Sequence, residues 1–236
     1  ASSAASDVYK RQANTDEQFQ ANLTDDFEIY LSDIMTAGNN TNNSDMAADV
    51  SENSEEAKDW LADTLGMEYG DLTQEAGSTV ARSFPAKEGN LNELAQEALL
   101  KKVEELKIPV EYKTELKSVA YDEEGALDRI TVTVDGKDQE IDCLALVATD
   151  VSLIPVFEES QVYEADGKAA ALVVSNNAEQ LNKDSGELIN GLYAAGPILS
   201  AAVDGEGVLS GNELTEAVVF GSTAGTEAAV HVSDNQ

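Results

Sequence analysis

The sequence predicts an α/β domain in which helices flank a β-meander and a pair of short apolar strands. Three observations carry that reading. Apolar residues recur at helical spacing in the first part of the chain. Short alternating stretches follow, separated by acidic, glycine-bearing turns. An apolar strand and a glycine-containing helix then close the sequence. With 236 residues the chain is long enough to bury a sizeable core.

Residues 1–12 (ASSAASDVYKRQ) follow neither a helical nor a strand period and read as a non-native or disordered leader. Residues 13–236 read as one domain, with a first part over 13–150 and a second over 151–236. The polar stretch 13–24 is expected to be a loop or a frayed turn. From Asp25, the positions Phe27, Tyr30, Leu31 and Ile34 mark a helix that stops at Gly38-Asn-Asn-Thr-Asn-Asn43. That turn also supplies the cap of a second helix, expected over 44–65. Its apolar face is Met46, Val50, Ala57, Trp60, Leu61 and Leu65, with Gly66 ending it. The acidic residues of this helix read as a solvated face, not a metal site.

Residues 66–90 are loop-rich and contain Arg82, one of three arginines. Arg82 reads equally as the partner of a specific anion and as half of a surface ion pair. A third helix is expected over 91–107, burying Leu91, Leu94, Ala95, Ala98, Leu99, Val103 and Leu106, with Pro109 as its stop. Four strands should follow, at Val110–Tyr112, Glu115–Tyr121, Leu127–Val134 and Glu140–Ala148. Asp122-Glu-Glu-Gly125 and Asp135-Gly136 are their hairpin turns. Neither turn has the ligand spacing of a calcium loop. Ala145–Thr149 is apolar throughout, as in a strand buried on both faces. A further strand is expected over Ala169–Val174.

The last stretch organises the rest. Gly191-Leu-Tyr-Ala-Ala-Gly196 reads as a buried strand ending on glycine, followed by a loop. A capped helix then starts in Ser210-Gly-Asn-Glu-Leu-Thr215 and runs over about 212–231. Such an arrangement aims free backbone N–H groups at an anionic or electron-rich group. Gly221 and Gly225 within that helix predict close packing against a sheet or a cofactor.

Composition excludes several function classes. Fourteen basic residues against forty-six acidic ones give a net charge of −32. A surface this negative repels nucleic acid and anionic lipid. No apolar stretch approaches the length of a membrane span, so membrane insertion is not expected. The single cysteine, Cys143, excludes an internal disulfide and multi-cysteine metal sites, and reads as a small buried hydrophobe. Nor is a hydrolase indicated: there is no G-x-S-x-G, and the lone histidine, His231, reads as a surface residue.

Several segments, in order, resemble one family. They are Asp26–Met35 with Gly38, Ser54–Leu61 with Gly66, Gly77–Ser83, Ile108–Thr114, and the meander ending Leu146-Val-Ala-Thr149. Ile189–Gly196 and Ser210–Gly221 follow, with Ala224-Gly225 and Ala228-Ala229. Together they resemble the FAD-binding domain of the fumarate reductase/succinate dehydrogenase-type flavoproteins, in the soluble fumarate and urocanate reductase branch. The resemblance implies an incomplete FAD/NAD(P)-binding Rossmann-like domain, an FAD-dependent oxidoreductase ancestry, and an electron-donor domain or protein as partner. It places Ser210, Gly211, Asn212, Glu213, Leu214 and Thr215 against the flavin, Gly196 at a close backbone approach, and Ala148 and Thr149 near the dinucleotide. It also implies a bacterial, extracytoplasmic setting, which the acidity suits.

The departures from that family shape the expectation as much. No G-x-G-x-x-G occurs anywhere in the chain, which the resemblance ascribes to truncation before residue 13. Asp150 stands at a family glycine, Pro197 at a frequent glutamate, and Val208 at an expected arginine. Only about forty residues separate Thr149 from Gly191, where relatives carry a capping domain. The expected activity is therefore that of a fragment or degenerate relative, inactive alone on fumarate and without catalytic residues of its own. The alternative is a non-enzymatic acidic binding module that has lost its flavin, since a carboxylate at Asp150 would repel FAD phosphates.

Overall fold

Thr15 begins the first element in the computed structural model, which describes residues 15–235; residues 1–12 lie outside that range. Where a loop was expected, α1 (Asp16–Gln20) forms. Thr15 accepts from the Gln18 N–H while the Gln18 side chain accepts from the Thr15 N–H, a reciprocal cap that secures so short a helix. Gln18 is buried and also donates to Asp25 and to the Ala81 carbonyl.

Helix α2 (Phe27–Ala37), capped by Asp26, buries Tyr30, Asp33 and Ile34. Asn43 caps α3 (Ser44–Glu52), as the Asn-rich turn predicts. The single helix expected over 44–65 is broken at Asn53, and α4 (Ser54–Leu65) starts there. Around the break the side chains of Ser51, Asn53 and Ser54 donate to backbone carbonyls, the competition that loosens a helix. The break divides the predicted apolar face. Met46 and Val50 enter the main core, whereas Ala57 and Leu61 join a smaller cluster with Ala95, Val218 and Val219.

Helix α5 (Leu91–Glu105) is where expectation and structure differ most. Of its predicted buried face only Ala95 is buried; Leu99 is 44% exposed, and Leu106 just beyond the helix is 69% exposed. Ala95 packs with Ala57 and Leu61 of α4, while Leu91, Ala98 and Val103 are half-buried and the remaining predicted positions are exposed.

The meander is β1 (Thr114–Tyr121), β2 (Leu127–Val134) and β3 (Lys137–Asp142), antiparallel and in that order. Asp122 holds the first turn by accepting from the N–H groups of Glu124 and Ala126. At the second, Asp135 and Gly136 have φ of +50° and +77°, the left-handed pair of a tight hairpin. Val110–Tyr112 forms no strand, and the strand expected over 140–148 divides. Its second half, β4 (Leu146–Ala148), joins a different sheet.

After a 3-10 turn at Val151–Val156 come a two-stranded pair, β5 (Val162–Ala165) and β6 (Lys168–Leu172), then β7 (Glu179–Leu181) and β8 (Leu188–Ala194). Strand β8 is central, with β4 parallel on one side and β7 antiparallel on the other. As an edge strand, β4 buries Ala148 but leaves Val147 37% exposed, so burial on both faces is not realised along its whole length.

The loop expected after Gly196 contains a helix, α6 (Pro197–Asp204), with Pro197 in its first turn and Ile198, Leu199, Ala202 and Val203 buried. Helix α7 (Asn212–Asp234) completes the fold. Main-core side chains come from α2, α3, α6, β8 and the inner face of α7. On the outer face of α7, a β-carbon added at Gly221 or Gly225 would meet no other group, so packing against a sheet is absent there among the described residues. Cys143 is half-buried against the core and not enclosed by it. His231 is likewise half-buried, facing Gly191 and Glu179. No described helix is long and apolar enough to cross a membrane.

Candidate functional site

The first turn of α7 is built from the inside. Gly211 takes φ +89° at the N-cap position, and no side chain caps the helix, contrary to the expected cap. Asn212 turns inward instead. It is buried, donates from Nδ2 to Glu216 Oε1 at 2.7 Å, and accepts the Tyr30 hydroxyl on Oδ1. Burial, with the buried Asp204 alongside, pushes the Glu216 carboxyl up to about 8. Burial likewise drives the Tyr30 hydroxyl far above its ordinary range.

Above this buried network lies a cavity of about 290 Å³. Ser210, Gly211, Leu214 and Thr215 form one wall. Tyr30, Lys58, Leu61, Tyr69, Arg82 and Phe84 contribute to the other. Tyr69 and Phe84 meet edge to face at 6.0 Å between ring centroids, and Lys58 Nζ stands 4.2 Å over Phe84. The Tyr69 hydroxyl is tied to the Lys58 carbonyl, which fixes the ring at the cavity wall.

Arg82 resolves the choice left open by the sequence: it pairs inside the protein. It donates from Nε and Nη2 to Asp25 at 3.0 and 2.8 Å and from Nη1 to Asp33 at 2.5 Å. Burial opposes its charge, but the bonds to Asp25 and Asp33 outweigh burial and raise its pKa.

A second group of residues meets at the carboxyl ends of the parallel strands β4 and β8, where sheets of this kind leave a crevice. The Ala148 carbonyl accepts from Ala195 N–H and the Thr149 carbonyl from Ile198 N–H, which sets Thr149 beside Gly196. Gly196 has φ +69° and open space where a side chain would project. Asp150, fully exposed at the end of β4, accepts from the Ser152 N–H; that bonding holds its carboxyl below the usual range. There is no lysine or arginine in residues 138–167 or 184–235.

The residues singled out from sequence thus fall into three settings. Ser210, Gly211, Leu214 and Thr215 line the cavity, and Ala148, Thr149 and Gly196 meet at the strand ends. Asn212 lies beneath the cavity and Glu213 is exposed to solvent. Sequence reasoning missed the aromatic wall of Tyr69 and Phe84, which belongs to a loop without period. The partners of Arg82 were legible only as two acids, Asp25 and Asp33, bordering the apolar face of α2.

No family model matches the chain, and no curated protein sequence matches it. Solved structures do. An open-conformation flavocytochrome c3 fumarate reductase superposes with a TM-score of 0.72 at 13% identity, covering 92% of this chain and 69% of its own. A 3-ketosteroid-Δ4-(5α)-dehydrogenase from Rhodococcus jostii gives 0.70 at 14% identity, over 91% of this chain and 86% of its own. An E. coli quinol fumarate reductase gives 0.66 at 12% identity, over 90% of this chain and 61% of its own. At such identities the likeness establishes the fold: this chain is built like the flavoproteins of the fumarate reductase type.

Proposed function

We propose that this chain forms the flavin-ring part of an FAD-dependent oxidoreductase of fumarate reductase type, with the ring received at the first turn of α7. One observation carries the reading: an N-terminus without a side-chain cap, on a 23-residue helix, opens onto a cavity walled by aromatic and apolar side chains. An oxidised flavin ring is planar and uncharged, which suits such walls. When bound, the flavin supplies hydride transfer. The protein contributes orientation and charge. The first-turn N–H groups of Gly211, Glu213 and Leu214 favour negative charge at the ring edge nearest the helix, that of Asn212 being taken by the Leu209 carbonyl, and Thr215 offers a hydroxyl. Tyr30, Asn212 and Glu216 hold that turn from beneath.

The chain fits the two ends of the cofactor unequally. The ring fits the cavity. The phosphates do not fit what is described at the strand ends. Ala148, Thr149 and Gly196 offer space and backbone there, but Asp150 adds a full negative charge and neither a glycine-rich turn nor a basic residue accompanies them in sequence. No chemical step is therefore assigned through the phosphates. Asp150 favours the second reading, an acidic binding module without flavin.

One experiment separates the two. The purified chain is incubated with excess FAD, desalted, and examined for the visible absorption and quenched fluorescence of a bound flavin. Retained flavin supports the oxidoreductase reading. A colourless protein that leaves FAD fluorescence unchanged overturns it in favour of the second.

A further inference from the structure

Both basic side chains of the cavity are committed to the protein's own carboxylates. Arg82 is bidentate to Asp25 and also bonds Asp33, with its side chain only 9% exposed and its guanidinium 4.7 Å over the Tyr30 ring. Asp33 is held further by the N–H and hydroxyl of Thr79, and Asp25 by Gln18. To reach a ligand, Arg82 would have to abandon two buried carboxylates, a strongly unfavourable exchange. Lys58 also has a partner, nearer the surface, donating to both oxygens of Glu17 at 3.1 and 3.2 Å while its ammonium stands over Phe84. Two more carboxylates, Glu55 and Glu75, line the cavity and take part in no ion pair among the described residues.

We infer that the cavity selects by charge, accepting an uncharged or cationic planar ring and rejecting dicarboxylates and other small dianions. Among the described residues, two cations stand against three lining carboxylates, Asp25, Glu55 and Glu75, and the ion-pair partners Glu17 and Asp33, so away from the α7 N-terminus the potential is negative, and apolar walls reduce the screening that water would provide. The aromatic rings of Tyr69 and Phe84 suit a flat ring, and the Lys58 ammonium already over Phe84 shows that they tolerate positive charge. A substrate sharing this cavity with a flavin would thus be neutral, unlike the acids on which enzymes named fumarate reductases act. This inference rests on the proposed ring site and adds its charge preference.

The test is calorimetric titration of the full chain at low salt with three probes: lumiflavin as an uncharged ring, a cationic acridine, and fumarate. Lumiflavin and the acridine are expected to bind, with fumarate weaker by about a hundredfold or more. In a Glu55→Gln/Glu75→Gln variant the gap should narrow severalfold. Fumarate binding within about tenfold of lumiflavin, or a gap unmoved by the double substitution, overturns the inference. If lumiflavin fails while the acridine binds, the flavin reading falls and charge selection stands. If neither ring binds, both fall.

Discussion

Asn212 and Glu216, one helical turn apart on α7, form a wholly buried hydrogen bond that faces the core and not solvent. Glu216 Oε2 and the Asp204 Oδ1 opposite have no donor among the described residues, a need that one proton shared by the two carboxyls meets. That arrangement makes stability depend on pH in a definite direction. The Glu216 pKa of about 8 in the folded state lies above the ordinary unfolded value near 4.3, so the native state binds the proton more tightly. Its contribution is complete below about pH 4 and is lost as pH rises toward about 8, at up to roughly 1.4 kcal/mol per pH unit. Glu216→Gln should flatten the pH dependence of urea unfolding between about pH 5 and 8 relative to the parent chain. Parallel profiles for the two proteins would count against the shared proton.

Removing Arg82 takes the buried guanidinium away from two buried carboxylates, Asp25 and Asp33. Arg82→Met should therefore lower unfolding free energy by about 3–5 kcal/mol, measured by chemical denaturation. Adding Asp33→Asn to that variant should recover part of the loss, because a buried carboxylate that has lost its guanidinium goes with the substitution.

The Tyr30 hydroxyl bonds the amide oxygen of Asn212 across the interior, joining α2 to α7. Tyr30→Phe should lower stability by about 1–2 kcal/mol and loosen the first turn of α7. Hydrogen exchange at the amides of 215 and 216 should rise in the variant while the meander amides stay protected.

Gly191 sits in β8 at φ +85°, and a β-carbon there would come within 2.5 Å of the Leu144 carbonyl oxygen. Gly191→Ala should lower the unfolding midpoint sharply, by more than about 2 kcal/mol in stability, since both backbone strain and a clash with main chain arise.

The exposed leucines of α5 provide a contrast. Leu99→Gln should change stability by less than about 0.5 kcal/mol, as for an ordinary surface position. A loss of several kcal/mol would show that the residue is covered in the folded protein.

Much of this architecture was legible because its causes are local. The period of Phe27, Tyr30 and Ile34, the Asn43 cap, the Gly66 stop and the Asp135-Gly136 turn all act within a few residues. The misread elements depend on distant groups. The fate of the α5 leucines depends on whether another element covers them, which a helical period cannot reveal. α6 lies in a stretch too short for a clear period, and it is secured by burial of Ile198 and Leu199. One wall of the candidate site was legible in Ser210–Thr215. The opposite wall was not, because Lys58 of α4 is brought together with Tyr69, Arg82 and Phe84 of one long loop without period.

The two walls of the cavity lie more than a hundred residues apart, one within 15–92 and the other within 209–215, with the whole meander between them. The site therefore cannot be carried by either half of the chain, nor can it precede the closure of that long loop during folding. A ligand held there would link its affinity to global unfolding, protecting helices and meander together although it touches only a few side chains. Occupancy of the cavity would thus act as a gauge of complete folding, and a nick anywhere that frees α7 would abolish it at once.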